Sequence, residues 1–207
     1  HKRIDTAEAG RLREQILAKL SLTEADRPVL FLFVANNFRL KGLASLICAL
    51  HSAAKHNTYL IIAGRDKSFK YRRLGKKLDV HKKIIFLGHL RSIQNMLSII
   101  DVAVLPTFYD PASRFILEAL SAGRPVITTR YNGAADFVTN GRHGKIVDSP
   151  ENITALAEAI GYFSDTENIR KASQAIIEDN LAEKISIARA AEQMLAVYEE
   201  ILKKRGL

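Results

Sequence analysis

Residues 101–129, DVAVLPTFYDPASRFILEALSAGRPVITT, decide how this chain folds. Val102–Leu105 and Val126–Thr129 are short, mostly apolar runs, and between them Arg114–Ala122 carries its apolar residues at helical spacing. A strand, a helix and a second strand in so little chain predict parallel pairing, with the helix crossing back over the sheet. Near-continuous apolarity further predicts strands covered on both faces.

The same alternation extends in both directions. Val29–Ala35, Tyr59–Ala63, Ile84–Leu87 and Gly144–Val147 read as four more buried strands. Leu43–Lys55, Phe69–Leu78, Ser92–Ile100 and a short stretch at Ala134–Thr139 read as the intervening helices. Beyond Pro150 the pattern is helical throughout: Ile153–Phe163, Ile169–Glu178 and a long last segment at Ala182–Lys204. The expected fold class is α/β, a Rossmann-like doubly wound parallel sheet with a helical C-terminal tail. Three regions are expected: residues 1–25 as a linker and first helix, 26–165 as the nucleotide-binding body, and 166–207 as C-terminal helices packed on it.

Composition agrees with one globular domain: 207 residues, 47% hydrophobic and 26% charged, with 11 Gly and 5 Pro. No apolar run approaches the ~20 residues of a membrane span, and the N-terminus lacks a signal-peptide pattern. The cytoplasm is therefore the expected compartment. Cys48, the only cysteine, rules out an internal disulfide and is expected to be a small buried thiol. Because the chain begins at His1 and a domain follows almost at once, it is expected to be a fragment of a longer protein.

The net charge of +9 is concentrated. Between Arg65 and Lys83 stand nine Lys/Arg against two carboxylates, Asp66 and Asp79, a surplus of seven. On a helix Tyr71, Leu74 and Leu78 would face the core and leave the bases outside. A solvated helix face and attraction to an anionic membrane surface both fit this pattern. Nucleic acid is not the expected partner, because no reader motif or basic–aromatic interleaving accompanies the charge.

In doubly wound sheets ligands bind beyond the C-terminal ends of the strands. The segments of interest are therefore Asn36–Gly42, Gly64–Lys67, Gly88–Arg91, Pro106–Ser113 and Arg130–Gly133. No G-x-G-x-x-G follows the first strand and no G-x-x-x-x-G-K-[ST] occurs, which argues against dinucleotide cofactors and P-loop chemistry. Without D-x-D or zinc-type Cys/His spacing, nothing advertises a metal; a bound diphosphate would need protein donors. Arg39 and Lys41, beside Gly42 at the end of the first strand, could grip phosphate, although a surface lysine before a helix would look the same. In 108–127 two carboxylates, Asp110 and Glu118, flank a helix N-terminus whose free N–H groups carry about half a positive charge. Glu118 could accept from a ribose diol and Asp110 from a sugar hydroxyl. Acids favoured only by the helix dipole would also fit.

An acid, seven residues, Glu, then ALSAGRPVITT (119–129) resembles the E-x7-E signature of retaining glycosyltransferases with the two-domain GT-B fold, family 4, glycosyl transferases group 1. Lys41-Gly42, the turn at Gly64–Lys67, Phe86-Leu87-Gly88, Asp101–Pro106 and the loop at Tyr131–Ala135 follow the family's order, so the resemblance covers roughly Ile4 to Phe163. Within the family the turn G-x-D-K and the run LEALSAGRPVITT look closest to lipopolysaccharide core glucosyltransferases. The chain departs from the pattern in four places. Asp110 stands for the first Glu, Ser113 for a Gly, Arg114 and Phe115 for small or aliphatic residues, and Leu40 for the base beside the lysine, with Arg39 one position earlier.

The resemblance implies the C-terminal, donor-binding half of such an enzyme: a UDP-sugar donor, retention at the anomeric carbon, and no metal or other cofactor. It implies hexose transfer, glucose by the narrower likeness, to a lipopolysaccharide core or similar glycan. The acceptor would be held by an N-terminal domain outside this chain. Lys41, Arg39 and the N–H groups at Ser113, Arg114 and Phe115 would stabilise the leaving diphosphate. Asp110 would hold the sugar and Glu118 the ribose. Uracil would lie near Gly64, Arg65, Asp66, His89 and Leu90. His1–Thr6 resembles the interdomain linker, with Arg3 where a Gly often stands, and the last helix would cross to the partner domain. The fragment alone would bind nucleotide without transferring sugar, peripheral to the inner face of a membrane in the whole enzyme. A non-catalytic sugar-nucleotide-binding member, or a GT-B relative such as a sugar-nucleotide epimerase, would share these features.

Overall fold

The computed structural model describes residues 5–90 and 92–204. The proposed linker therefore falls, apart from Asp5 and Thr6, outside the described residues, as does Arg3. Six strands form one parallel sheet: β1 (Val29–Val34), β2 (Thr58–Ala63), β3 (Ile84–Gly88), β4 (Val102–Leu105), β5 (Val126–Thr129) and β6 (Gly144–Val147). Their order is β3-β2-β1-β4-β5-β6, the doubly wound order expected. Leu30, Leu32, Phe33, Ile61 and Val104 are fully buried, as strands sandwiched between helical layers require.

Helix α1 (Thr6–Lys19) starts where the Asp5 carboxylate accepts from the Glu8 N–H at 3.0 Å. It packs on α4 (Ile93–Ile99), where the buried Asn95 donates to Glu8 at 2.7 Å. Helices α2 (Leu43–Ser52), α3 (Phe69–Lys77), α5 (Arg114–Ser121), α6 (Ile153–Tyr162) and α7 (Thr166–Glu178) complete the body. At the start of β1 the Asp101 carboxylate accepts from the Leu30 N–H at 2.7 Å, while Arg124 donates to the Leu97 and Ser98 carbonyls at 2.8 and 2.7 Å. Burial of Asp101 pushes its pKa up, against the pull of Arg13 and Arg124.

Four local expectations need correction. The stretch at Ala134–Thr139 is a 3-10 turn at Gly133–Phe137, because the Asn132 side chain takes the Ala134 N–H and tightens it. α7 begins three residues early, since Asp165 caps it through the Glu167 N–H at 2.9 Å. The tail is two helices, α8 (Leu181–Lys184) and α9 (Ile187–Lys204), divided where the Ser186 hydroxyl accepts from the Arg189 N–H and starts a new helix. Cys48 is half-buried rather than buried, in the middle of α2. No residue of α9 is buried, and Met194, Leu195, Tyr198 and Ile201 stand on its surface.

Candidate functional site

Strand order reverses between β1 and β4, so the loops that follow these strands part and leave a crevice. Two devices hold the loops close together. The Phe108 N–H donates to the Leu40 carbonyl at 2.9 Å. Gly42 sits at φ +74°, where an added Cβ would lie 2.0 Å from the Pro106 carbonyl oxygen; only glycine permits both the turn and the approach.

Lys41 is thereby aimed across the crevice. Its Nζ donates to the Asp110 Oδ2 at 2.8 Å and to the Tyr109 carbonyl at 2.9 Å. Both side chains are largely shielded, at 18% and 15% exposure. Residues separated by 69 positions thus form one ion pair at the crevice floor.

The residue that holds this arrangement lies in the Arg130–Gly133 segment of interest, but the sequence assigned it no role. Asn132 is fully buried. Its Oδ1 accepts from the Ser113 and Ala134 N–H groups, both at 3.1 Å, and its Nδ2 donates to the Thr128 hydroxyl at 2.9 Å. Its backbone pairs with that of Asp110 as an isolated bridge, flanked by Asp110 N–H to Tyr131 carbonyl at 3.0 Å and Gly133 N–H to Asp110 carbonyl at 2.9 Å. The signal available beforehand was only its position between a strand end and Gly133.

Ser113 is the N-cap of α5, its hydroxyl accepting from the Ile116 N–H at 3.4 Å. Its own N–H is committed to Asn132, so it is not free for a ligand. Among the described residues the N–H groups of Arg114 and Phe115 have no acceptor, which leaves two donors at the positive end of the helix. The Phe115 side chain is buried, so only its backbone faces the crevice. Glu118 lies one turn further along α5, with the exposed Arg114 guanidinium at 3.4 Å. It lines a cleft of about 790 Å³ with Gln94, Arg114, Leu117 and the α8–α9 junction.

The remaining predicted residues separate into two groups. The Gly64 N–H donates to the Gly88 carbonyl at 2.8 Å, and the exposed Arg65 meets His89 Nε2 at 3.4 Å, so these two turns and Leu90 stand side by side. Asp66 is occupied otherwise: its oxygens accept from the Phe38 and Lys67 N–H groups at 2.7 and 2.6 Å, tying the β1 and β2 loops together. Arg39 takes no part in the Lys41–Asp110 pair and lines a cleft of about 730 Å³ with Leu40, Ser45, Lys70, Phe108 and Glu151. Among the described residues no cluster of His, Cys, Asp and Glu is arranged to hold a metal ion. No helix among them is long and apolar enough to cross a membrane.

A sequence profile described as "Glycosyl transferases group 1" matches residues 16–180. The chain belongs to this family. Against the lipopolysaccharide glucosyltransferase WaaG of Escherichia coli K12 it is 31% identical over 134 residues, covering 63% of this chain and 36% of that protein. A crystal structure of WaaG, described as involved in lipopolysaccharide biosynthesis, superposes with a TM-score of 0.71 at 26% identity, covering 83% of this chain and 49% of that one. The structure of Anabaena HepE in complex with UDP-glucose shares the fold, with a TM-score of 0.78 at 17% identity over 95% of this chain and 53% of that one. The group 1 chain described here thus spans roughly a third to a half of the length of these relatives. Its sheet is the Rossmann-like unit of GT-B glycosyltransferases.

Proposed function

We propose that this chain is the donor-binding half of a retaining hexosyltransferase that uses a UDP-sugar, glucose foremost, and acts on a lipopolysaccharide core or similar glycan. The observation that carries this reading is the Lys41–Asp110 ion pair at the sheet's switch point, set against the two free N–H groups of α5. The likeness to WaaG and the UDP-glucose complex of HepE support the choice of donor.

The chemistry follows from charge. As the bond to the anomeric carbon breaks, negative charge grows on the diphosphate. Lys41 and the Arg114 and Phe115 N–H groups supply preorganised positive charge there, each such donor being worth about 3 kcal/mol, or roughly 100-fold in rate. In the free protein Asp110 neutralises Lys41; with donor bound, Asp110 is released to accept from a sugar hydroxyl. Glu118 exchanges Arg114 for the ribose diol. Arg39, at the neighbouring cleft, adds positive potential rather than a direct grip, and Gly64, Arg65, His89 and Leu90 form the uracil end. This arrangement needs no metal. Catalysis of transfer requires donor and acceptor held within about 3–3.5 Å. In this reading the acceptor is brought by another domain, towards which the unburied α9 extends, and the chain alone binds nucleotide without transferring sugar.

Calorimetric titration with UDP, GDP and ADP, each with and without EDTA, tests the proposal. UDP is expected to bind most tightly and indifferently to chelation. Tighter binding of GDP or ADP, or loss of UDP binding on chelation, would overturn it.

A further inference from the structure

On α3, Tyr71 and Gly75 are buried and Leu74 half-buried, so the helix packs through that side. The opposite side carries Phe69, Arg72, Arg73 and Lys76, at i, i+3, i+4 and i+7: one aromatic residue followed by three cations in a stripe. Phe69 is 78% exposed at the first position of the helix, where burial within this fold would have cost nothing in charge. The stripe borders a cleft of about 510 Å³ between α3 and the edge strand β3, whose floor is apolar (Ile84, Phe86) and whose rim is cationic. The Arg72 guanidinium lies 4.4 Å from the Phe86 ring centroid, spread over that floor.

The cations of the stripe have no acidic partner among the described residues, although Arg72 Nε also donates to the Ser68 hydroxyl at 3.1 Å. Among the described residues none of Lys67, Lys70, Arg72, Arg73, Lys76, Lys77 and Lys82 forms an ion pair. Lys83 does not belong with them: its ammonium is folded inward, donating to the Ala54 and His56 carbonyls at 2.6 Å each, and burial lowers its pKa. Nearby acids do not cancel the rest, since Asp66 is held by two backbone N–H groups and Asp79 reaches only His81, at 3.8 Å.

We propose that the α3–β3 face docks on an anionic phospholipid bilayer, with Phe69 inserted among the lipids and Arg72, Arg73 and Lys76 engaging headgroup phosphates. An apolar floor with a cationic rim complements an amphiphile that is anionic at its head. A duplex backbone would use the cations and leave Phe69 in water, and a single strand stacked on Phe69 would leave the apolar floor of the cleft unused. α3 starts directly after the β2 loop, so Phe69 lies at the end of the sheet that holds Lys41 and Asp110. If the donor-binding reading above holds, docking by this face puts the crevice mouth beside the bilayer, where a glycolipid would enter. Membrane binding itself does not depend on that reading.

The chain contains no tryptophan, so Phe69→Trp places a single fluorescent reporter at the expected point of insertion. Its emission is expected to shift to shorter wavelength with vesicles of phosphatidylcholine and phosphatidylglycerol, and to stay that of an exposed indole with phosphatidylcholine alone. In sedimentation with the mixed vesicles, Phe69→Ala should weaken partitioning about tenfold. The combined reversal Arg73→Glu, Lys76→Glu and Lys77→Glu should weaken it at least about 100-fold, at roughly fivefold for each basic residue lost. UDP affinity measured on the same variants should not change, which separates this face from the donor crevice. Unshifted emission from the Phe69→Trp variant on bound vesicles, or partitioning untouched by the charge reversal, would overturn the proposal. So would single-stranded RNA binding as tightly as the vesicles and lost on the charge reversal.

Discussion

Asn132 offers the most direct test of how the crevice is held together. Replacing it with Ala removes the acceptor for two buried N–H groups, those of Ser113 and Ala134, and the donor to the Thr128 hydroxyl. Asn132 is fully buried and Ser113 is 4% exposed, so water is poorly placed to substitute. An unsatisfied buried donor costs about 1–3 kcal/mol. Two of them, with the Thr128 hydroxyl keeping its own bond to the Leu105 carbonyl at 2.9 Å, give about 2–6 kcal/mol. For a chain of this size each kcal/mol moves Tm by roughly 2–4 °C, so a fall of about 4–24 °C is expected. The loss should reach function as well. The Asp110 and Ser113 loop would lose its anchor, and UDP affinity should drop even at temperatures where the variant is folded. Asn132→Asp separates the two halves of the network: it retains the acceptor for both N–H groups but sets a carboxylate against the Thr128 oxygen. Differential scanning calorimetry and UDP titration on both variants decide the matter. If Asn132→Ala lowers Tm by less than about 2 °C and leaves UDP affinity unchanged, the assignment of Asn132 as the clamp is refuted.

Three other outcomes follow from the same geometry. Glu118→Ala should weaken UDP about 10–100-fold, the worth of hydrogen bonds to a charged group, whereas Asp110→Ala should leave UDP no weaker because it unpairs Lys41 for the diphosphate; equal losses in calorimetric titration would contradict that division. Gly42→Ala, at φ +74° with a Cβ 2.0 Å from the Pro106 carbonyl oxygen, should cost at least about 2 kcal/mol and displace Lys41, and chemical denaturation that shows no loss would mean the loop can relax. The folded-state pKa of Asp101 is raised by burial, so folding favours its protonated form and stability declines as pH rises from the ordinary carboxylate value through the raised one; Asp101→Asn keeps an acceptor for the Leu30 N–H and should flatten that decline in urea midpoints measured from about pH 3 to 7.

Much of the molecule was legible before any coordinates. Short apolar runs specified six strands, all of which exist, because a strand buried on both faces has no polar positions to blur the pattern. The 8-residue spacing of Asp110 and Glu118 was readable too, since both lie on one loop and one helix and local geometry fixes their separation. Helix ends were less legible. Asp165, Asn132 and Ser186 set them through single side-chain bonds that compete with equally plausible neighbours. Tertiary structure alone decided which charged groups face one another. Lys41 meets Asp110 only because strand order reverses between β1 and β4, and Arg39, two positions away, has no part in that pair and lines a different cleft. Asp66 was spent on two backbone N–H groups, Lys83 was folded inward, and Phe69 was left bare, although all three lie in one basic stretch of the sequence. Periodicity records which residues leave water, because burial repeats along an element. Which partner a polar side chain finds depends on elements distant in the chain, and no periodicity records that.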